Sequence, residues 1–252
     1  MDNHVKIIGW LWIVLGVLSI LAAICGVTAA LGFDQVYIIK DQGTIMIDSG
    51  EPKKGKAFLK GLKEVSVKPE EIQLIILTHG HWDHIGSAAE IKEITGAKIV
   101  MHQNEKRWLE ESLKPMPPGV TTWGSIFGKL VTWGIVPFKH IRATKVDIVL
   151  KDKEFSLNDY GIEGKVIHTP GHSSGSVSIL LDTEEAFVGD LAVNKFPLRL
   201  TPGLPIFAED WLKLIESWQK LLDLGVRIVY PSHGDPFSAD IIENELSKGS
   251  RK

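Results

Sequence analysis

The chain has 252 residues, of which 44% are hydrophobic and 23% charged, and its formal net charge is -3 at pH 7. This composition is ordinary for one large or two small globular domains, and it excludes a disordered chain. The slightly acidic balance lacks the basic face that nucleic acids require, so we predict no nucleic-acid partner. With a single cysteine, Cys25, no intrachain disulfide or cysteine-based zinc site can form, so a metal would need His, Asp or Glu ligands.

The amino-terminal part is apolar, with no charged residue between Ile7 and Phe33. An uncharged apolar run longer than about 18 residues predicts a transmembrane helix. Trp10 and Trp12 suit the interface of a bilayer.

We therefore predict that residues 1–23 form an apolar helical segment that anchors the protein in a membrane, with the contact made by residues 7–23. Residues 24–252 would form the metal-binding domain. The lysines that follow the apolar run favour a cytoplasmic position for this domain.

Other interpretations of the apolar run stay open. It can belong to the core of a soluble cytoplasmic protein. It can also be a cleavable signal peptide, since residues 27–29 offer small side chains for cleavage. Its end, Ile24 to Leu31, can be the first strand of the following domain.

The remaining hydrophobic patterns alternate between strand and helix periods, which predicts an α/β fold. Gly96 and Gly225 are expected to end helices. In chain order the patterns predict strands over 36–40 and 44–48, a helix over 54–65, a strand over 72–77, a helix over 86–94, a strand over 98–102, a helix over 104–113, strands over 146–150, 165–168, 177–181 and 186–188, a helix over 208–224, a strand over 226–230 and a short closing helix.

A cluster of polar side chains directly follows the apolar strand predicted over 72–77, in the stretch THGHWDHIG. His79 and His81 are separated by one residue, so in extended chain they point the same way. Asp83 and His84 follow in the turn. Imidazole and carboxylate together suit Zn²⁺, with Fe or Mn possible, so the cluster predicts a metal site.

Four ligands from one loop cannot complete two metal sites, and three further candidates follow apolar strands. These are His172 in HTPGHSSGS, Asp190 in FVGDLA and His233 in YPSHGDP, each beside a glycine that lets the backbone turn sharply. A lone histidine after a strand is usually an ordinary loop residue, and we interpret His102, His140 and His168 in that way.

The stretch THGHWDH resembles the HxHxDH signature of the metallo-β-lactamase superfamily. The later His, the Asp of GD and the His of SHG stand in the order typical of that family. The resemblance covers roughly residues 26–240. It implies an αββα four-layer sandwich, with two mixed sheets face to face, helices outside and the metal site along one edge.

The resemblance also implies a role for each candidate residue. Asp190 would bridge two metal ions, and Asp48 would support the metal loop without binding metal. The first metal would be held by His79, His81 and His172, and the second by Asp83, His84 and His233. Because the bridging position is Asp and not Cys, the pattern is more similar to that of hydroxyacylglutathione hydrolases and lactonases than to that of classical zinc β-lactamases. The residues after His233 are too few for the helical domain that binds glutathione in the former.

The implied function is a hydrolase of a small-molecule ester, thioester, lactone or amide, with two Zn²⁺ per chain and a metal-bound hydroxide as nucleophile. Asp83 is the candidate catalytic residue that moves a proton. Within residues 115–140, Trp123, Phe127 and Trp133 follow helical spacing and are candidates for contact with an apolar part of the substrate, with ordinary packing as the alternative. A phosphodiesterase or nuclease of the same superfamily, or a non-catalytic binding protein, stays open, and the sequence does not indicate an oligomeric state.

Overall fold

A computed structural model describes residues 4–8, 11–15, 23–24, 29–30 and 34–249. The helices are α1 (Gly55–Glu64), α2 (Trp82–Ile85), α3 (Ala88–Thr95), α4 (Lys106–Glu110), α5 (Thr122–Gly134), α6 (Trp211–Asp223) and α7 (Asp240–Gly249). The strands are β1 (His4–Ile8), β2 (Leu11–Leu15), β3 (Ala23–Ile24), β4 (Ala29–Ala30), β5 (Gln35–Lys40), β6 (Thr44–Ile47), β7 (Ile72–Ile76), β8 (Lys98–His102), β9 (Ile148–Leu150), β10 (Phe155–Ser156), β11 (Gly164–His168), β12 (Val177–Leu181), β13 (Glu185–Asn194), β14 (Ile228–Gly234) and β15 (Phe237–Ser238).

Two six-stranded sheets form the centre of the molecule. The first has the order β4-β5-β6-β7-β8-β9 and the second the order β10-β11-β12-β13-β14-β15. The pairs from β6 to β9 are parallel, as is β13 with β14, and the other pairs are antiparallel. Both sheets are therefore mixed.

Three apolar clusters show how the layers stack. Residues of both sheets, such as Leu74 and Ile179, pack together in the cluster between the sheets. Phe58 of α1 packs on the outer face of the first sheet, and Trp218 of α6 packs on the outer face of the second. The helix–sheet–sheet–helix order confirms the predicted four-layer α/β sandwich.

The periodic patterns locate most elements to within a few residues. Gly96 ends α3 with a left-handed φ of 73°, and Gly225 follows α6 with a φ of 84°, as predicted. The helix predicted over 104–113 is shorter and spans Lys106–Glu110. The strands β13 and β14 run farther than their apolar patterns, to Asn194 and Gly234.

The described parts of the apolar amino-terminal segment differ from the predicted helix. Residues 4–8 and 11–15 are paired antiparallel strands, and the β-branched Val and Ile side chains of both segments suit strands. Within the described residues, every helix is too short or too polar to cross a bilayer. The predictions for Trp10 and for residues 16–22 concern residues outside the described part of the chain, and the division between residues 23 and 24 stays a prediction.

Candidate metal centre

The histidine-rich loop begins where β7 ends, at the carboxyl edge of the parallel strands. Buried strands of Ile and Leu place the backbone, and the loop after them turns back into α2 after a few residues. The strands β13 and β14 of the second sheet end at the same edge. The fold thereby brings together side chains that are far apart in the sequence.

The first group of potential ligands consists of His79, His81 and His172, whose ring nitrogens lie within 4.8 Å of one another. Nε2 of His172 is 3.0 Å from Nδ1 of His81. Two imidazole nitrogens at this distance repel each other unless a proton or a cation lies between them. The three side chains are buried.

The second group consists of Asp83, His84 and His233, with ligand atoms again within 4.8 Å. Nε2 of His233 is 3.6 Å from Oδ2 of Asp83, and Nε2 of His84 is 3.9 Å from Oδ1 of Asp83. Both histidines are buried, while Asp83 remains partly accessible.

Asp190 lies between the two groups. Its Oδ2 is 3.6 Å from Nε2 of His172 and 3.3 Å from Nε2 of His233, and its Oδ1 is 3.4 Å from Nε2 of His84. The carboxylate thus faces histidines of both groups. The structure brings all seven predicted ligands together.

The donor atoms fit metal ions. Among the described residues, Nε2 of His79, His81 and His84 is buried without a hydrogen-bond partner. A buried polar atom without a partner costs about 1–3 kcal/mol. Imidazole and carboxylate are the ligands that Zn²⁺ and Fe²⁺ take in proteins, so the residues present suit such ions.

The protonation of the first group favours metal binding. Burial, together with the neighbouring histidines, lowers the pKa of His79 and His81 well below the usual range, and burial also lowers the pKa of His172. The rings are therefore neutral at pH 7. A neutral imidazole has the free lone pair that a metal ligand needs.

The histidines of the second group have raised pKa values, unlike those of the first group. Burial alone would lower the pKa of His84, but the carboxylates of Asp190, Asp48 and Asp83 together outweigh it and raise that pKa well above its usual range. The pKa of His233 rises to about 9. The carboxylates around these two histidines therefore favour positive charge at this place.

Asp48 contacts the ring nitrogen of His84 that faces away from the other ligands of the second group. Its carboxylate, at 0% exposure, accepts hydrogen bonds from the backbone N–H of Thr78 (2.7 Å) and from the Ser232 hydroxyl (2.9 Å), and Nδ1 of His84 lies 2.9 Å from Oδ2. A proton on Nδ1 of His84 leaves Nε2 free to face the metal site. Asp48 adopts a left-handed φ of 58° to do this.

Glu105, which the sequence analysis missed, contacts both loops that supply the first group. Its Oε2 accepts the N–H of Gly80 at 2.5 Å and its Oε1 the N–H of Gly175 at 2.6 Å. Burial raises its pKa to about 7. A single glutamate at a predicted helix start carries no periodic or motif signal, so the sequence alone could not have indicated it.

An apolar cleft that is partly open to solvent leads to the ligands. Phe127 of α5 lies on its wall, and the ring of Trp123 stacks on Phe127 with 5.6 Å between ring centroids. Trp133 is 82% exposed and is not among the residues that line the cleft. The apolar residues that line the cleft include Met116, Pro117, Phe127, Val131, Ile135, Leu198, Ile206 and Phe207.

The fold and the site define a four-layer α/β sandwich that gathers histidine and aspartate ligands at one sheet edge. The family model described as the metallo-beta-lactamase superfamily matches residues 31–233. The chain therefore belongs to the metallo-beta-lactamase superfamily, as the sequence motifs predict.

Individual relatives agree with this assignment. The chain is 30% identical over 218 residues to a metallo-beta-lactamase fold-containing protein of Sulfurisphaera tokodaii, covering 84% of this chain and 77% of the relative. It is 40% identical over 198 residues to a UPF0173 metal-dependent hydrolase of Pyrococcus abyssi, covering 73% and 78%. The crystal structure of an archaeal superfamily protein from Sulfolobus tokodaii matches with a TM-score of 0.61 and 26% identity, covering 86% of this chain and 80% of that one.

Proposed function

We propose that this protein is a hydrolase that holds two divalent metal ions and cleaves an ester, thioester, lactone or amide bond in a small molecule with an apolar part. The observation that carries the proposal is the pair of ligand groups that share Asp190 at the base of an apolar cleft. The relatives named as metal-dependent hydrolases support it.

In this proposal His79, His81 and His172 hold one ion, Asp83, His84 and His233 hold the other, and Asp190 contacts both. Zn²⁺ is the proposed metal, with Fe or Mn as alternatives. When bound, such ions would supply a water molecule of lowered pKa and polarise the bond that is attacked.

The side chains of the chain itself have to position the substrate and move protons. Asp83 lines the cleft and stays partly accessible, and burial raises the pKa of its carboxyl group. A carboxyl group that takes up a proton readily can pass it to a leaving group that lies within hydrogen-bond reach. We assign this role to Asp83.

The cleft favours an acyl chain or another apolar group as the part of the substrate that is bound. Its wall between α5 and residues 198–207 is built from aliphatic and aromatic side chains. Besides the proposed ligands, the charged residues Glu51 and Lys139 line the cleft. They form an ion pair, with 2.6 Å between Nζ of Lys139 and Oε2 of Glu51. Apolar contacts in such a pocket discriminate between substrates by about 1–3 kcal/mol for each methylene group.

Membrane contact through residues 7–23 is part of the proposal, supported by the uncharged sequence of Ile7 to Phe33. The outward face of α5 adds apolar side chains beside the cleft, because Ile126 and Leu130 are exposed as well as Trp133. Sedimentation of the full chain with anionic and neutral lipid vesicles tests this part. If the protein stays in the supernatant with both vesicle types, the membrane contact is refuted.

The enzymatic proposal is tested with p-nitrophenyl esters of increasing chain length, together with lactones, thioesters and bis-p-nitrophenyl phosphate. Phe127→Ala should lower kcat/KM for long acyl chains about tenfold and leave short chains nearly unchanged. Trp133→Ala, on the same helix but outside the cleft, is the matched control and should change neither. Cleavage of the phosphodiester alone would instead favour the phosphodiesterase interpretation.

A further inference from the structure

Glu105 precedes α4 and lies outside the set of proposed metal ligands. Its side chain is at 0% exposure, between the loop that follows β7 and the loop that follows β11. The first loop supplies His79 and His81, and the second supplies His172. One carboxylate therefore touches both segments that bring the first metal ion its ligands.

The two contacts are made by different oxygens of the same carboxylate. Oε2 accepts the backbone N–H of Gly80, the residue between His79 and His81, at 2.5 Å, and Oε1 accepts the N–H of Gly175 at 2.6 Å. Both oxygens of Glu105 therefore act as acceptors, each toward a different ligand loop. Both bonds are shorter than the usual range for N–H donors, about 2.7–3.2 Å.

The residues at both contacts are glycines, and the space around them explains why. A Cβ atom on Gly175 would lie 2.8 Å from Oε1 of Glu105. A Cβ atom on Gly80 would lie 2.5 Å from the ring of Trp108 and 3.1 Å from Oε2 of Glu105. The close approach of the carboxylate to both amides therefore depends on the absence of side chains there.

The segment around Glu105 also supports the ligand His81 directly. Trp108 of α4 stacks on the ring of His81, with 5.9 Å between centroids and 16° between the planes. The other loop is held from the same side, since Nδ2 of Asn104 donates to the carbonyl of Ser174 at 2.9 Å. Residues 104–108 thus contact both ligand loops of the first group.

We infer that Glu105 is a positioning residue. It sets the distance between the loop of His79 and His81 and the loop of His172, and thereby raises the metal affinity of the first site. The inference rests on the proposed metal centre. Second-sphere groups of this kind change metal affinity about 10–100-fold when they are removed. The second site has its own support in Asp48, so it should not depend on Glu105.

Stepwise titration of metal-free full-length protein with Co²⁺, followed by absorption spectroscopy and calorimetry, tests the inference. Wild-type protein should bind two ions. Glu105→Gln replaces one accepting oxygen by an NH₂ group that opposes an N–H donor, so one ion should bind about 10–100-fold more weakly while the other is unchanged. The visible bands of the weakened site should change as well, a signature that general loss of stability would not produce.

Glu110→Gln is the matched control, because Glu110 on α4 also accepts a backbone N–H, that of Val146, but does not contact a ligand loop. It should bind both ions as the wild type does. If Glu105→Gln does not fold, Gly175→Ala provides the same test, because the added Cβ displaces Oε1 of Glu105 and should weaken the same ion.

The outcomes separate this inference from the proposed function. If wild-type protein binds two ions, and Glu105→Gln and Gly175→Ala bind both ions as tightly as the wild type does, Glu105 has no positioning role. Only this inference is then overturned. Equal weakening of both ions overturns it too. If wild-type protein binds no Co²⁺, the metal centre itself is refuted, and the role of Glu105 with it.

Discussion

Two clusters of histidine and aspartate lie in the part of the chain that the structure describes, and they differ in how well they suit a metal ion. The second cluster consists of His102 at the end of β8, Asp152 and His168 at the end of β11. Within each group of three ligands in the first cluster, and within the second cluster, the potential ligand atoms lie within 4.8 Å of one another. Proximity alone therefore does not distinguish them.

The orientation of the rings does distinguish them. The first cluster, which comprises the seven proposed ligands and is called the deep centre below, is the more buried of the two. In it the ring planes of His79, His81 and His172 are nearly perpendicular to one another, at 81–86°. The rings of His102 and His168 are stacked, with 10° between their planes and 4.1 Å between their centroids. A ring nitrogen binds metal in the plane of its ring at about 2.1 Å, so perpendicular rings can converge on one point and stacked rings cannot.

The surroundings differ in the same sense. The ligands of the deep centre are held from behind, since Nδ1 of His84 faces Asp48 at 2.9 Å and Nδ1 of His172 faces the carbonyl of Phe207 at 3.0 Å. Asp152 of the stacked cluster has a side chain that is 73% exposed. Two histidines of the proposed metal centre are thus oriented by groups outside it, whereas the carboxylate of the other cluster lies mostly in solvent.

The largest effect is expected at Asp190, which faces both ligand groups. Asp190→Ala should abolish tight binding of the paired ions and lower kcat/KM roughly 10³-fold or more, because the activation of water depends on them. Asp152→Asn is the matched control in the stacked cluster and should leave metal content and kcat/KM unchanged. Equal losses in the two variants would remove the distinction between the clusters.

Loss of the support behind the ligands should have the next largest effect. Asp48→Asn places an NH₂ group or a weaker acceptor opposite the donors of Thr78, Ser232 and His84, so the affinity for the second ion should fall about 10–100-fold. Competition with a chelator measures it. Asp147→Asn is a suitable control, since Asp147 also accepts a backbone N–H, from Ile99, but is remote from the centre. An unchanged affinity in Asp48→Asn would contradict the proposed support.

A smaller effect concerns metal binding by the stacked cluster itself. Protein with both sites of the deep centre filled should bind no further Zn²⁺ with micromolar affinity, and His168→Gln should bind the same amount as the wild type. Equilibrium dialysis with elemental analysis measures the number of ions. A third ion that disappears in His168→Gln would show that stacked rings can separate to bind metal.

The smallest effect is a difference in pH dependence. Burial, with the neighbouring His168, lowers the pKa of His102 below its usual 6.5. Because the unfolded chain then binds the proton more readily, this residue reduces the free energy of unfolding as the pH falls below 6.5. His102→Gln should show a shallower loss of stability between pH 7 and pH 5 in denaturant titrations. If stability falls with pH equally steeply in His102→Gln and in the wild type, the pKa of His102 is not lowered by folding.

The proposed metal centre could be predicted from the sequence to a large extent, because the proposed ligands stand in short stretches at the ends of strands. The HxHxDH stretch gave four ligands from adjacent positions, and the glycines beside His172 and Asp190 marked the others. The turn geometry that aims them could not be predicted. Asp190 and His233 lie inside β13 and β14 and not after them, because irregular pairing of these two strands extends both past their apolar runs.

Two other features show the limit of periodicity. The amino-terminal run satisfies the pattern of an apolar helix, yet its described parts at residues 4–8 and 11–15 are strands, since Val and Ile suit both structures. Glu105 was missed because its role depends on contacts with Gly80 and Gly175, which are distant in sequence. Helical spacing did identify α5, and only the structure separates Phe127 in the cleft from Trp133 outside it.

The most direct test of the metal centre is the metal content of the purified full-length protein, measured by elemental analysis together with hydrolysis before and after removal of metal by a chelator. We predict two ions per chain, loss of hydrolysis when they are removed, and recovery on addition of Zn²⁺. Protein that contains no metal, or that hydrolyses its substrates equally well after chelation, would contradict the account.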